Sequence, residues 1–266
     1  KDKEKMKRTL VVVLVLAVTL CTVPVSAESI LKVGATPVPH AEILHMIVPI
    51  LKEEGITLEI VEFTDYVRPN LALQEGELDA NFFQHLPYLE SFNQDARTDL
   101  VSLVGVHVEP LGVYATKHTS LDDLPSRATL AIPNDATNGG RALLLLQEAG
   151  LIKLDPKTGI TPTIFDVEEN PRNIRFIELE AAQLSRSLAD VDAAVINGNY
   201  ALQAGLNPVL DSLFLEGANS PYVNIVAIRA ADVEDSNLAK LALALSSEQV
   251  RSFILETYEG AVVPVF

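Results

Sequence analysis

Short runs rich in valine, isoleucine and leucine alternate along this chain with stretches whose apolar residues recur at helical spacing. That alternation limits the fold more than any other feature. A helix between two strands carries the chain back across a sheet, so the next strand lies beside the last in a βαβ unit. The pattern predicts strands near residues 31–35, 57–63, 78–83, 100–106, 111–115, 129–132, 174–178, 193–196 and 222–228. Helices are expected over 40–54, 68–74, 138–149, 181–188, 238–245 and 247–258. Pro49 falls inside the first helical stretch, which should kink there or begin late. The fold class is α/β, with mixed sheets flanked by helices, as two modest lobes or one larger domain.

A leader precedes these elements. Residues 1–8 are basic, residues 10–20 are apolar apart from Thr19, and Val25-Ser26-Ala27 offers the small residues a signal peptidase reads. The apolar run is too short for a comfortable membrane span, so residues 1–27 read as a signal peptide cleaved after Ala27. Cys21, the only cysteine, lies within it. Lipidation of Cys21 is the alternative, although Val18-Thr19-Leu20 is a poor lipobox. Cleavage after Ala27 would leave no thiol for disulfides, metal sites or nucleophilic catalysis. The formal charge of −16 becomes −16 − 3 = −19 without residues 1–27, which hold five basic and two acidic residues. So acidic a chain repels nucleic acid and anionic lipid.

Three stretches concentrate groups suited to binding. In residues 79–88, Phe82, Phe83, His85 and Tyr88 crowd together with the amides Asn81 and Gln84. Leu86-Pro87 is expected to stop a strand here and open a loop that lines a pocket, at the carboxyl end of a strand where open α/β sheets bind ligands. In residues 133–141, Thr137 or Asn138 is expected to cap a helix. Gly139 and Gly140 would let a ligand approach the backbone, and Arg141 would sit in the first turn, where an anion suits it. Asn197 and Asn224 end and begin apolar runs, and asparagine offers both a donor and an acceptor. A weak echo links residues 73–81 with 188–197, each a helix end followed by Asp-Ala and an asparagine. If the echo is real, two lobes present strand ends to a shared cleft, with chain crossings near 109–113 and 224–228.

Enzyme signatures are missing: no Gly-x-Ser-x-Gly and no His-Glu-x-x-His occurs. His40 and His45 are not at metal-ligand spacing, and His85, His107 and His118 are scattered, so neither a metal nor a cofactor is expected.

The runs Asn81-Phe82-Phe83-Gln84-His85-Leu86-Pro87-Tyr88 and Asn134-Asp135-Ala136-Thr137-Asn138-Gly139-Gly140-Arg141 resemble the methionine-binding lipoproteins that serve ABC importers. So do Phe63-Thr64-Asp65-Tyr66-Val67, Val195-Ile196-Asn197 and Ser220-Pro221-Tyr222-Val223-Asn224. The resemblance implies a two-lobed periplasmic-binding-protein fold, ligand in the cleft, with lobe one from residues 28–110 and 226–266 and lobe two from 111–225. It implies walls for a methionine side chain at Tyr66, Phe83, His85 and Tyr88, a carboxylate partner in Arg141, and completing polar groups in Asn197 and Asn224. The implied partners are methionine, L or D, or a close analogue, and an ABC permease with its ATPase subunit. No nucleic acid is implied, and the membrane is met only through the permease or a lipid on Cys21. The protein would act without chemistry in the periplasm or at the outer face of the cell membrane. A methionine-containing dipeptide, another apolar amino acid, or a surface adhesion role on the same fold are the alternatives. The family often has a proline and a larger residue where Ala136 and Gly139 stand, so the loop before Arg141 is expected to be looser.

Overall fold

Parallel pairing of β1 (Ser29–Ala35) with both β2 (Ile56–Glu62) and β3 (Ala80–His85) begins the first of two sheets in a computed structural model that describes residues 29–217 and 220–266. The expected leader, Cys21 and Asn219 lie outside the described residues. Helix α1 (Glu42–Glu53) returns the chain from β1 to β2 and α2 (Arg68–Gln74) from β2 to β3. Ile43, Leu44, Ile47 and Leu51 form one buried face of α1. Burying such side chains is worth about 1.5–3 kcal/mol each. Helix α1 runs through Pro49 without ending or beginning there; Pro49 lies on the exposed side, where water can serve the carbonyl it leaves unpaired.

Helix α3 (Leu86–Ala96) then leads to β4 (Leu100–Val108), after which the chain crosses to a second sheet. There β5 (Gly112–Tyr114), β6 (Thr129–Pro133), β9 (Arg175–Leu179), β10 (Ala193–Ile196) and β11 (Phe214–Leu215) lie in the order β11-β5-β10-β6-β9. A small hairpin of β7 (Lys153–Leu154) and β8 (Val167–Glu169) follows α4 (Ala136–Glu148). Helix α5 (Ala181–Ser187) precedes β10, and α6 (Gly198–Gln203) and α7 (Pro208–Asp211) follow it. The chain returns in β12 (Val223–Arg229), continues through α8 (Ser236–Leu245) and α9 (Glu248–Tyr258), and ends in β13 (Val263–Pro264). The first sheet is complete as β13-β4-β12-β3-β1-β2. Each sheet has its own core, with Val33, Ile47, Phe82, Val226 and Leu241 in one and Leu111, Leu130, Ile132, Leu146 and Val195 in the other.

The second crossing lies before β12, not at 224–228. Asn224 pairs with His85 of β3 and His107 of β4, so Val223, Asn224 and Ile225, assigned above to lobe two, belong to the first sheet. An apolar run bounded by a proline looked like a crossing because a central strand carries no polar alternation.

The echo between residues 73–81 and 188–197 has a physical basis. Asp79 accepts the Lys32 amide at 2.7 Å and donates its own amide to the Lys32 carbonyl at 2.8 Å. Asp192 does the same with Thr129, at 2.7 and 3.0 Å. Each aspartate latches the entry of one parallel strand onto its neighbour. Replacing Asp192 with alanine is expected to cost about 1.5 kcal/mol, the low end for a hydrogen bond to a charged group. Urea unfolding measures it, and a midpoint equal to the wild type would mean that the latch is idle.

Candidate functional site

The carboxyl end of β3 delivers Phe83 and His85 to the seam between the sheets. The chain does not open into a loop there. His85 instead caps α3, its Nδ1 accepting the Tyr88 amide at 3.1 Å, with Pro87 in the first turn. Proline there gives up only an amide that has no helical partner, so the residue that ends a strand also suits a helix start. With Nδ1 accepting, the proton of His85 is on Nε2, which donates to Asn138 Oδ1 at 3.1 Å.

Asn138 comes from the other lobe. The cap of α4 is Asp135, not Thr137 or Asn138: its Oδ1 accepts the Asn138 amide at 2.9 Å. The predicted loose loop is thus the first turn of a helix, buried from Thr137 onward. Gly139 and Gly140 serve protein packing and not a ligand, since a Cβ would stand 2.7 Å from the Pro133 carbonyl oxygen or 2.7 Å from Thr161 Cα. Arg141 lies beyond the first turn and is 4% exposed. Its Nε donates to Glu216 Oε1 at 3.0 Å, Nη2 donates to Glu216 Oε2, and Nη2 also donates to the Glu109 carbonyl at 2.8 Å. The guanidinium stacks 4.3 Å from the centre of the Tyr222 ring.

Polar contacts then knit the seam. Asn138 Nδ2 donates to both oxygens of Asp135, at 3.0 and 3.1 Å, and Asn197 Nδ2 donates to Asn138 Oδ1 at 2.7 Å. Tyr66 donates to Asn199 Oδ1 at 2.5 Å, and Tyr200 to the Thr64 carbonyl at 3.2 Å. Tyr66 also stands 5.8 Å from the rings of Phe83 and Tyr88 and 5.0 Å from Tyr200.

Tyr66, Phe83, His85, Tyr88, Arg141, Asn197 and Asn224 all line one narrow cavity between the lobes. Five further residues share its wall: Gln84, Glu109, Asn138, Gly198 and Asn199. Gln84 also belongs to a buried amide network, with Asn70 Nδ2 donating to Gln84 Oε1 at 2.9 Å and Gln84 Nε2 donating to Asn81 Oδ1 at 2.9 Å. Glu109 left no local signal, since nothing in a lone Glu-Pro distinguishes a buried carboxylate from a solvated one.

Two of the scattered histidines also meet. His107 Nε2 is 2.8 Å and His40 Nε2 3.2 Å from Glu109 Oε1, and all three residues are buried. Thr36 Oγ1 lies 2.7 Å from His40 Nδ1, and Asn224 Oδ1 lies 3.2 Å from His40 Nε2. Their donor atoms come within 4.8 Å of one another, close enough to surround a metal ion. Mutual hydrogen bonds already satisfy the converging atoms, so this is a polar network under the cavity floor. Burial lowers the pKa of His40 to about 4 and of His107 to about 3. Burial first, and then the Arg141 charge, brings His85 to about 3. All three are therefore neutral at pH 7, and burial pushes the Tyr66, Tyr88 and Tyr200 hydroxyls up. Groups whose folded pKa is depressed add stability that is full above the unfolded value near 6.5 and is lost as pH falls toward the folded values. Glu109, raised by burial, acts in the opposite sense, but three histidines outweigh it. The midpoint of thermal unfolding is expected to fall steadily from pH 6.5 to about pH 4. A flat profile would show that these imidazoles are not held neutral.

Over residues 31–266 the sequence matches the family model of the NlpA lipoproteins. The D-methionine-binding lipoprotein MetQ of Escherichia coli (strain K12) is 42% identical over 236 residues, covering 88% of this chain and 87% of the relative. A nutrient binding protein from Burkholderia cenocepacia, solved bound to methionine, has a TM-score of 0.86 at 46% identity, covering 89% of this chain and 100% of that one. An ABC transporter periplasmic substrate-binding protein from Coxiella burnetii has a TM-score of 0.84 at 43% identity, covering 88% of this chain and 100% of that one. With the family model spanning nearly every described residue and such relatives along most of its length, the chain belongs to the NlpA lipoprotein family.

Proposed function

We propose that this protein is an extracytoplasmic substrate-binding protein that captures methionine, or a close analogue, and delivers it to an ABC importer. One observation carries the reading: a cavity between two lobes combines an aromatic wall with a buried arginine and paired asparagines. Tyr66, Phe83 and Tyr88 suit a thioether, because a polarizable sulfur at an aromatic edge gains up to about 1.5 kcal/mol. His85 completes that wall. Arg141 serves the ligand carboxylate. Among the described residues its Nε and Nη2 are engaged by Glu216 and Glu109, so Nη1 is the nitrogen free to reach into the cavity. Asn197 and Asn224 complete recognition of the amino-acid head group.

On this reading no bond is made or broken in the cleft. Relatives of the chain are binding proteins, and no helix among the described residues is long and apolar enough to cross a membrane. Residues 1–27 act as the export signal, with Cys21 the alternative lipid anchor, and the permease is the membrane partner. The two lobes, one built on the first sheet with all of β12 and the other on the second sheet, close over the ligand as a hinge, and the permease senses the closed form.

Protein unfolded and refolded to strip trapped ligand is expected to gain about 2.7 kcal/mol with methionine at a hundredfold excess over Kd, read as a thermal shift. No shift with L- or D-methionine or methionyl dipeptides would overturn the reading. Phe83→Ala is expected to weaken methionine more than alanine; equal losses would mean that the wall does not read the side chain. Arg141→Ala leaves the Glu216 carboxylate unpaired and is expected to cost about 3–5 kcal/mol of stability, so it tests the clamp poorly alone. Arg141→Lys and the paired R141A/E216A variant avoid that bare charge. Both are expected to lose methionine binding at least tenfold in calorimetry, and wild-type affinity in both would remove Arg141 from the site.

A further inference from the structure

Arg141 is the cation of the cavity wall, and the carboxylate that grips it, Glu216, does not line the cavity. A guanidinium is a flat group with five N–H donors, one on Nε and two on each terminal nitrogen. Nε donates to Glu216 Oε1 at 3.0 Å, Nη2 to Glu216 Oε2, and Nη2 again to the Glu109 carbonyl at 2.8 Å. Glu216 thus takes one whole edge of the fork, oxygen for nitrogen, the geometry that fixes a guanidinium in its plane. The Tyr222 ring covers a face at 4.3 Å. With an edge and a face held, the donors left over among the described residues are those on Nη1.

Glu216 is itself anchored to the backbone. It follows β11, and its amide donates to the Leu111 carbonyl at 2.9 Å. Its Oε2 accepts the Leu111 amide in return, at 3.2 Å. Leu111 is buried in the core of the second lobe, so the carboxylate is registered against the rigid part of that lobe. Neutralising a buried charge needs only proximity. Two parallel N–H···O bonds from an anchored carboxylate fix direction as well.

We infer that Glu216 is a positioning residue: it holds Arg141 aimed before any ligand arrives, with Nη1 presented to the ligand carboxylate. This rests on the functional reading above and adds to it a residue outside the cavity that governs how well the carboxylate is read. A free arginine samples many rotamers, and fixing one of them during binding weakens the ligand. Fixed by Glu216 during folding, the same ordering no longer opposes binding. The role is one of aim and not only of charge. A carboxylate of the same charge set back from the fork leaves the guanidinium neutralised and misdirected.

The test compares methionine with 3-(methylthio)propylamine, which keeps the thioether and the amine but has hydrogen in place of the carboxylate. Calorimetry on the stripped wild-type protein is expected to give a preference for methionine of about a hundredfold or more. Glu216→Asp keeps the charge and draws it back by one methylene, whereas Glu216→Gln keeps the length and removes the charge. Both are expected to weaken methionine about tenfold or more and the amine less than about threefold, since only the carboxylate depends on the aim of Arg141. Equal losses for the two compounds would make Glu216 a structural support and overturn the inference. So would wild-type methionine affinity in E216D, or tighter methionine binding in E216Q. The stripped wild-type protein gives a readout that needs no variant to fold. Its Arg141 Nε–H signal in nitrogen-15 NMR is expected to exchange slowly with water, and exchange as fast as in a solvated arginine would show that nothing aims the side chain before binding. A wild-type protein that binds neither compound overturns the functional reading itself; methionine binding with equal losses in the variants removes only Glu216.

Discussion

A carboxylate accepts hydrogen bonds and donates none, and at Asp135 that one-way property sets the direction of the polar contacts across the seam. Asp135 takes the Thr137 hydroxyl, the Asn138 amide and the Asn138 side chain. Asn138 therefore faces outward with an oxygen, which meets an N–H from His85 on one lobe and an N–H from Asn197 on its own. Reverse the polarity of Asn138 and both partners would clash donor to donor. A helix cap that satisfies backbone amides thus also fixes how His85 and Asn197 present themselves to the cavity.

Away from the seam the two lobes depend on different forces. Each sheet is closed by its own apolar cluster, so each core is held chiefly by burial within its own lobe, with Leu202 of the second lobe and Tyr66 of the first reaching across. The contact between them is mainly tyrosine hydroxyls, amides and imidazole, groups that water satisfies almost as well. Net hydrogen-bond gains are about 1 kcal/mol each, so such a seam opens at modest cost while the cores stay intact.

Much of this was legible in the chain. The alternation of apolar runs and helical spacing located the longer strands, because sheet cores require it. The two-residue strands β11 and β13 and the helix α6, whose six residues make less than about two turns, carry too few periods to register. Helix α3 was concealed by Pro87, which signals a strand end and a helix start equally well. The seven residues that gather at the cavity were found by chemical type and by resemblance. Glu109 was not found: it is one of 36 acidic residues, and only the fold reveals which of them is buried. Its bond to His40 spans 69 positions of sequence, by the difference 109 − 40, a separation to which no local pattern extends.

The two chain crossings share a feature of mechanical consequence. The first contains Glu109 and the second contains Glu216, and both residues bond to the Arg141 guanidinium, one through a carbonyl and one through a carboxylate. Two bodies joined by one strand can swivel in three directions; joined by two, they retain rotation about the line through both connections. Here the two connections also meet at a common side chain, which opposes twist and slide and favours that one rotation. With one rotation favoured, the state of the cavity and the shape of the outer surface become readings of the same variable.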